Sequence, residues 1–178
     1  MKKLITLLFL VIGFTSYGQI TTNPDIVCID AVGEQYFVTN SPGSTYSWTT
    51  TGTLASGQGT NAITIDWTGI AAGLYINAVT VTETTSSGCV GNPVTLNVNV
   101  LELILQAISS FCITDPSYTL SANVTGGTFS GNGIVGNDFD PSIAGAGTHV
   151  ITYSLNGCSV TTNITVNSIP TTGLIQHY

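Results

Sequence analysis

Few side chains in this sequence can do chemistry, and their spacing narrows the choice further. The chain has 178 residues, with two histidines, four cysteines, nine acidic residues and only two basic ones, Lys2 and Lys3. A nucleophile would need a base beside it. His149 lies in THVITY, which reads as a strand, and His177 sits next to the C-terminus. No lysine past residue 3 is available as a base or Schiff-base former. A carboxylate pair of the glycosidase kind would come from Asp66, Glu83, Asp138 and Asp140, but nothing in the spacing sets two of them about a cleft. The expectation is a protein that is not an enzyme and holds no cofactor.

Two binding chemistries remain. Asn132, Asn137, Asp138 and Asp140 fall in one Gly-rich stretch, and hard oxygen ligands suit calcium. Their spacing is not that of an EF-hand loop, and Asn and Asp in such stretches ordinarily serve turn geometry. Trp48 and Trp67 are candidates for stacking on a sugar. Against this, both lie on alternating segments that would turn them into a core.

Cys28, Cys89, Cys112 and Cys158 are never close enough in sequence to form a zinc-type pair. An even number in an exported chain reads as disulfides, with three connectivities open. The flanks discriminate. Cys28 (IVCID) and Cys112 (SSFCITD) each precede a strand-like segment. Cys89 (SSGCVGN) and Cys158 (LNGCSV) each follow a glycine and precede an alternating final strand. The chain thus repeats itself in two modules, and the repeat favours Cys28–Cys89 and Cys112–Cys158.

The elements that must hold these residues are strands. Segments 35–39, 45–49, 62–67, 74–83 and 94–100 alternate in the first module, as do 117–124, 128–130, 148–155 and 159–167 in the second. Ser41-Pro42-Gly43-Ser44, Gly57-Gln58-Gly59-Thr60 and Ser86-Ser87-Gly88 punctuate them with turn chemistry. Ile63, Ile65 and Trp67 share one face. The opposite faces of the strands are Thr, Ser and Asn. The expected fold is all-β, with two tandem immunoglobulin-like sandwiches over 19–101 and 102–167 and an extended tail over 168–178.

Residues 1–18 read as a cleaved export signal. Lys2-Lys3 is a basic start, residues 4–14 form an apolar run of 11 residues, and Ser16-Tyr17-Gly18 supplies small residues before Gln19. A run of that length falls short of the roughly 20 residues that span a bilayer. Removing it leaves no Lys or Arg at all. Charged residues are 6% of the chain, against about 25% in ordinary soluble domains. Such a chain cannot neutralise phosphates, which excludes nucleic acid, and it has no means of attracting anionic lipid. The setting expected is extracellular or the outer cell surface, with the periplasm as the alternative.

The blocks GSTYSW (43–48), SGQGTNAITIDW (56–67) and SSGC (86–89) resemble the PKD-like, immunoglobulin-type domain of Bacteroidota surface proteins. GGTFSGNGI, FDPSIAGAGTHVITY and NGC in the second module resemble the Ig-like repeats of gliding-motility-type adhesins. The W-x-F-G-D-G segment of the wider PKD family is absent, Trp48 being followed by TTTG. The resemblance implies a secreted or cell-surface structural and adhesion module. Its partner would be a cell-surface or extracellular protein or polysaccharide, with a carbohydrate- or calcium-dependent binding module as the alternative.

Overall fold

A computed structural model describes the backbone of residues 2–4 and the whole of residues 23–170. The proposed cleavage point, most of the signal segment, His177 and the end of the tail lie outside the described residues. The chain divides into two compact units, the first ending at Glu102 and the second beginning at Leu103. Each is a β-sandwich, as the alternation predicts.

In the first unit β1 (Lys2–Leu4), β3 (Glu34–Phe37), β5 (Thr53–Ser56) and β6 (Ala62–Asp66) form one sheet, in the order β1-β3-β6-β5. The other sheet contains β2 (Asp25–Cys28), β4 (Thr45–Thr50), β7 (Gly73–Thr84) and β8 (Val94–Leu101), in the order β2-β8-β7-β4. Strict alternation builds the interior. On β4 the side chains of Tyr46 and Trp48 turn inward while Thr45, Ser47 and Thr49 turn out. Ile63 and Ile65 of β6 continue to Trp67 on the same buried face. β7 breaks its period at a bulge between Tyr75 and Val79. Asn77 there has φ 53°, a conformation that Asn tolerates, and its N–H is taken up by Asn97 Oδ1 at 2.9 Å. The shift lets Ala78 and Val79 both face the core.

The second unit has β11 (Thr128–Ser130), β14 (Gly147–Leu155), β15 (Cys158–Asn167) and β9 (Phe111–Cys112) in one sheet, in the order β11-β14-β15-β9. β10 (Tyr118–Thr119), β13 (Asp138–Phe139) and β12 (Ile134–Val135) form a smaller one. Phe139, Ile151, Ile164 and Val166 fill the space between them. A one-turn helix, α1 (Pro141–Ala144), tucks Ala144 into that interior.

Three local expectations are corrected. Segment 117–124 is not one strand. Tyr118 and Thr119 pair with β13, then Ser121 and Asn123 turn to Gln106 and Ile104 instead. A strand that changes partners keeps its alternation but loses its ladder. β2, β5 and β9 are strands of two to four residues that the alternation does not announce. The Gly-rich stretch that carries Asn132 to Asp140 runs on into α1, a helical turn in a chain expected to be all-β.

Candidate functional surface

Of the residues singled out for calcium, Asp140, Asp138 and Asn132 make side-chain hydrogen bonds within the second unit. Asp140 caps α1: Oδ1 accepts from Ser142 Oγ at 2.6 Å, Ser142 N at 2.9 Å and Ile143 N at 3.3 Å. The Ser142 hydroxyl first, and then the two backbone N–H groups, hold its carboxyl below the usual range. Asp138 accepts from Thr119 Oγ1 at 2.6 Å. Asn132 Nδ2 donates to Ala144 O at 2.8 Å and reaches His149 Nδ1 at 3.3 Å. Asn137 receives the Leu120 N–H on its backbone carbonyl. Among the described residues no three His, Cys, Asp or Glu side chains gather about one point.

His149 sits where the strand reading puts it, with Nε2 donating to Gly145 O at 2.8 Å and the ring beside Phe139. FDPSIAGAGTH is therefore a folding device. It starts a single helical turn with an Asp cap and Pro141, and it fastens the far end of that turn with a histidine.

The sugar-stacking expectation for Trp48 and Trp67 is overturned by burial. Trp67 is 0% exposed and Trp48 3%, so neither ring offers a face. Trp48 Nε1 donates to Thr60 O at 2.8 Å. The Trp67 indole nitrogen has no hydrogen bond of good geometry. It does act on the Tyr36 oxygen, opposing a rise in that group's pKa that comes first from burial and then from the charge of Asp25. The net effect carries the Tyr36 hydroxyl far above its ordinary range. Its proton is directed at Asp25 Oδ2, 3.1 Å away.

SGQGT, the other signature block, finishes a sheet edge. Gln58 lays its amide along β4, with Oε1 accepting from Trp48 N at 2.9 Å and Nε2 donating to Trp48 O at 3.0 Å. Gly59 exchanges both backbone bonds with Tyr46. Gly57 takes φ 96°, and a Cβ there would collide with the Ala62 carbonyl. The loop thus occupies hydrogen-bonding groups that an edge strand would otherwise expose.

The outward surface is polar and uncharged over long runs. Across β4 and β7, Thr45 faces Thr84, Ser47 faces Thr82 and Thr49 faces Thr80; Thr80 in turn faces Thr95 on β8. On β15 the exposed positions are Ser159, Thr161, Asn163, Thr165 and Asn167. Two shallow hollows accompany these sheets. One, of about 350 Å³, lies over Gln35, Phe37, Ala62 and Thr64; the other, of about 500 Å³, lies beside Phe129 and Ile134. Glu83 is the one buried charged-type residue among those described, 5% exposed, with Oε2 unpartnered. Sequence alternation alone would have flagged it, since it follows Val79 and Val81 on the inward face.

The cysteines require a correction. Cys28 and Cys158 are disulfide-bonded, whereas Cys89 and Cys112 are free and exposed. The expected pairing within each module fails on register. Cys28 lies opposite Leu101, at the end of β8, while Cys89 lies in the turn before Val94, at its start. The seven steps from Val94 to Leu101, at about 3.3 Å each, separate the two ends by roughly 23 Å, and a disulfide needs Cα atoms within about 7 Å. In the second unit Cys112 lies opposite Asn167, and Cys158 opens the same ten-residue strand. The repeat itself is real, because the early cysteine of each unit sits at the exit end of the last strand and the Gly-Cys at its hairpin end.

No family model matches the chain, and no curated protein matches it. Among solved structures it is similar to the fibronectin(III)-like modules of Clostridium thermocellum CbhA at 16% identity. That match covers 87% of this chain and 95% of the other, with a TM-score of 0.32. It is also similar to extracellular domains 3–5 of Drosophila OTK at 11% identity, over 81% of this chain and 62% of the other, with a TM-score of 0.27. The sandwich architecture rests on the strand order and register described above rather than on these two likenesses.

Proposed function

We propose that this chain is an exported, non-enzymatic structural and adhesion module that works through the outer faces of its sandwiches. The observation that carries the reading is the uncharged Thr/Ser/Asn array on β4, β7, β8 and β15. It presents hydroxyl and amide groups on stiff strands, without the charges that ordinarily cover a solvated sheet. The exported setting follows from the basic-apolar start of the chain and from its disulfide-bonded cysteines. The resemblance to PKD-like and gliding-adhesin repeats of Bacteroidota points the same way. The partner on this reading is an extracellular protein or polysaccharide.

Adhesion of labelled protein to arrayed glycans and matrix proteins, with calcium and with chelator, tests it. Thr82→Lys and Thr161→Lys place charge on the two arrays without touching a core. Binding that these variants abolish, at unchanged melting temperature, supports the reading. Binding that they leave intact overturns it. Loss of binding in chelator alone would make the module calcium-dependent.

A further inference from the structure

Two strand edges of the first unit are finished by other parts of the chain. On β4 the SGQGT loop does this, through Gln58 and Gly59. On β3 the partner is β1, which runs parallel to it in the register Lys2↔Gln35, Lys3↔Tyr36 and Leu4↔Phe37. The direction of the β3 groups follows from its other neighbour. Val38 N donates to Asn61 O at 2.9 Å and Asn61 Nδ2 donates to Val38 O at 3.0 Å, so Val38 turns both its groups to the β6 side. Backbone groups alternate along a strand, so Tyr36 does the same, and Gln35 and Phe37 turn theirs the other way. Between these two residues β1 places Lys3. The SGQGT loop stays with an exported chain, whereas β1 lies within the segment read as a cleaved signal.

We propose that removal of residues 1–18 uncovers the β3 edge, and that an extended, lysine- or arginine-bearing segment of an extracellular protein then binds there as a parallel strand. The strand seated in the structure shows that the edge accepts one, and in which direction. Charge selects a basic occupant. Glu34 opens β3, Asp25 Oδ2 lies 3.1 Å from the Tyr36 hydroxyl, and the chain past residue 18 carries nine acidic residues and no Lys or Arg. On the outer face of the same strands, the hollow of about 350 Å³ over Gln35, Phe37, Ala62 and Thr64 has room for a side chain of the incoming segment.

The proposal rests on the exported reading for the loss of β1 alone, and the Thr/Ser/Asn arrays play no part in it. The test uses a chain begun at Gln19, so its result does not depend on export. Failure of the exported reading would show elsewhere, as a chain recovered from cells that still begins at Met1. Among the described residues the buried interior of the first unit runs from Val27 to Val100, so the shortened chain keeps it whole. The probe is a labelled synthetic peptide with the sequence of residues 1–6, MKKLIT. Fluorescence anisotropy should show saturable binding. Amide exchange at Gln35 and Phe37 should be fast before the peptide is added and slow afterwards, with the Tyr36 amide as the internal control. A peptide N-methylated at Lys3 should bind on the order of tenfold more weakly, since it loses main-chain bonds. A peptide carrying Lys2→Glu and Lys3→Glu should bind several-fold more weakly at low salt, the gap closing as salt is added. The full chain, whose own β1 fills the edge, should bind the probe on the order of tenfold more weakly than the shortened one. Absence of saturable binding would overturn the proposal, as would binding that survives N-methylation or leaves exchange at Gln35 and Phe37 unchanged. Slow exchange at those two amides without peptide would give the edge to another part of the chain, or to a second copy if it fades on dilution, and either result overturns the proposal.

Discussion

Tyr36 shows how much one buried hydroxyl can record about the state of the chain. Its proton is held by burial and by the Asp25 carboxylate, so its folded pKa is raised above the unfolded value. The stability this contributes is complete below the unfolded tyrosine pKa of about 10. It is lost as pH climbs from there toward the folded value. Absorbance at 295 nm should therefore show Tyr36 ionising only as the fold is lost. Tyr36→Phe should remove that part of the alkaline sensitivity at a cost of about 1 kcal/mol near neutrality, the worth of the Asp25 bond. The tryptophans make a second comparison. Trp48→Phe leaves the Thr60 carbonyl without its donor, on the order of 1–3 kcal/mol beyond lost packing. Trp67→Phe deletes a donor that has no well-formed bond, so urea denaturation should find it the milder change. Alternation made both rings legible as core, but which one had a hydrogen-bond partner depended on the return of Thr60 from a distant turn.

At the scale of elements, the turn signatures finish a sheet edge and cap a helical turn. Gln58→Ala removes two bonds to the Trp48 backbone and should cost about 1–2 kcal/mol. It also bares part of β4, so light scattering on mild heating should rise more than the stability loss explains. In α1, the Asp140 carboxyl is depressed in the fold. Its contribution is present above the unfolded carboxyl pKa and disappears as pH falls through the folded value. Asp140→Ala should lower the melting temperature of the second unit at pH 7, and the gap from wild type should narrow in acid. Asp140→Asn, which keeps an acceptor, should lose less. Position in a Gly-rich stretch suggested calcium for Asn132, Asn137, Asp138 and Asp140. The sequence could not reveal that Ala144, Thr119 and Ser142 bond the side chains of Asn132, Asp138 and Asp140. Strands of six residues or more were readable. β2 and β9 were not, because their identity lies in a parallel pairing with the last strand some 55 to 75 positions away.

For the whole molecule, both sandwiches were legible from period and turn spacing, and so was the repeat between them. The cysteine pairing was not, for a geometric reason. Similar flanks identified equivalent cysteines correctly, but equivalence says nothing about which end of the last strand each one reaches. Composition adds a direct check. Lys2 and Lys3 are the only trypsin sites, so even reduced, denatured protein should be trimmed by no more than three residues. Mass spectrometry would read any internal cut as a departure from this sequence.

The parallel arrangement of first and last strands has a consequence for load. In the first unit β2 runs beside β8 over four register pairs, Asp25↔Val98 to Cys28↔Leu101; in the second, β9 meets β15 over two. Tension applied between the start of the first strand and the end of the last slides such a pair lengthwise, so its bonds must rupture together instead of unzipping singly. With its disulfide-bonded cysteines reduced, a chain drawn between a tether and a moving surface should then yield at its second sandwich before its first. Single-molecule extension of the reduced chain would show this as two separate force peaks, the smaller one releasing the shorter length of polypeptide.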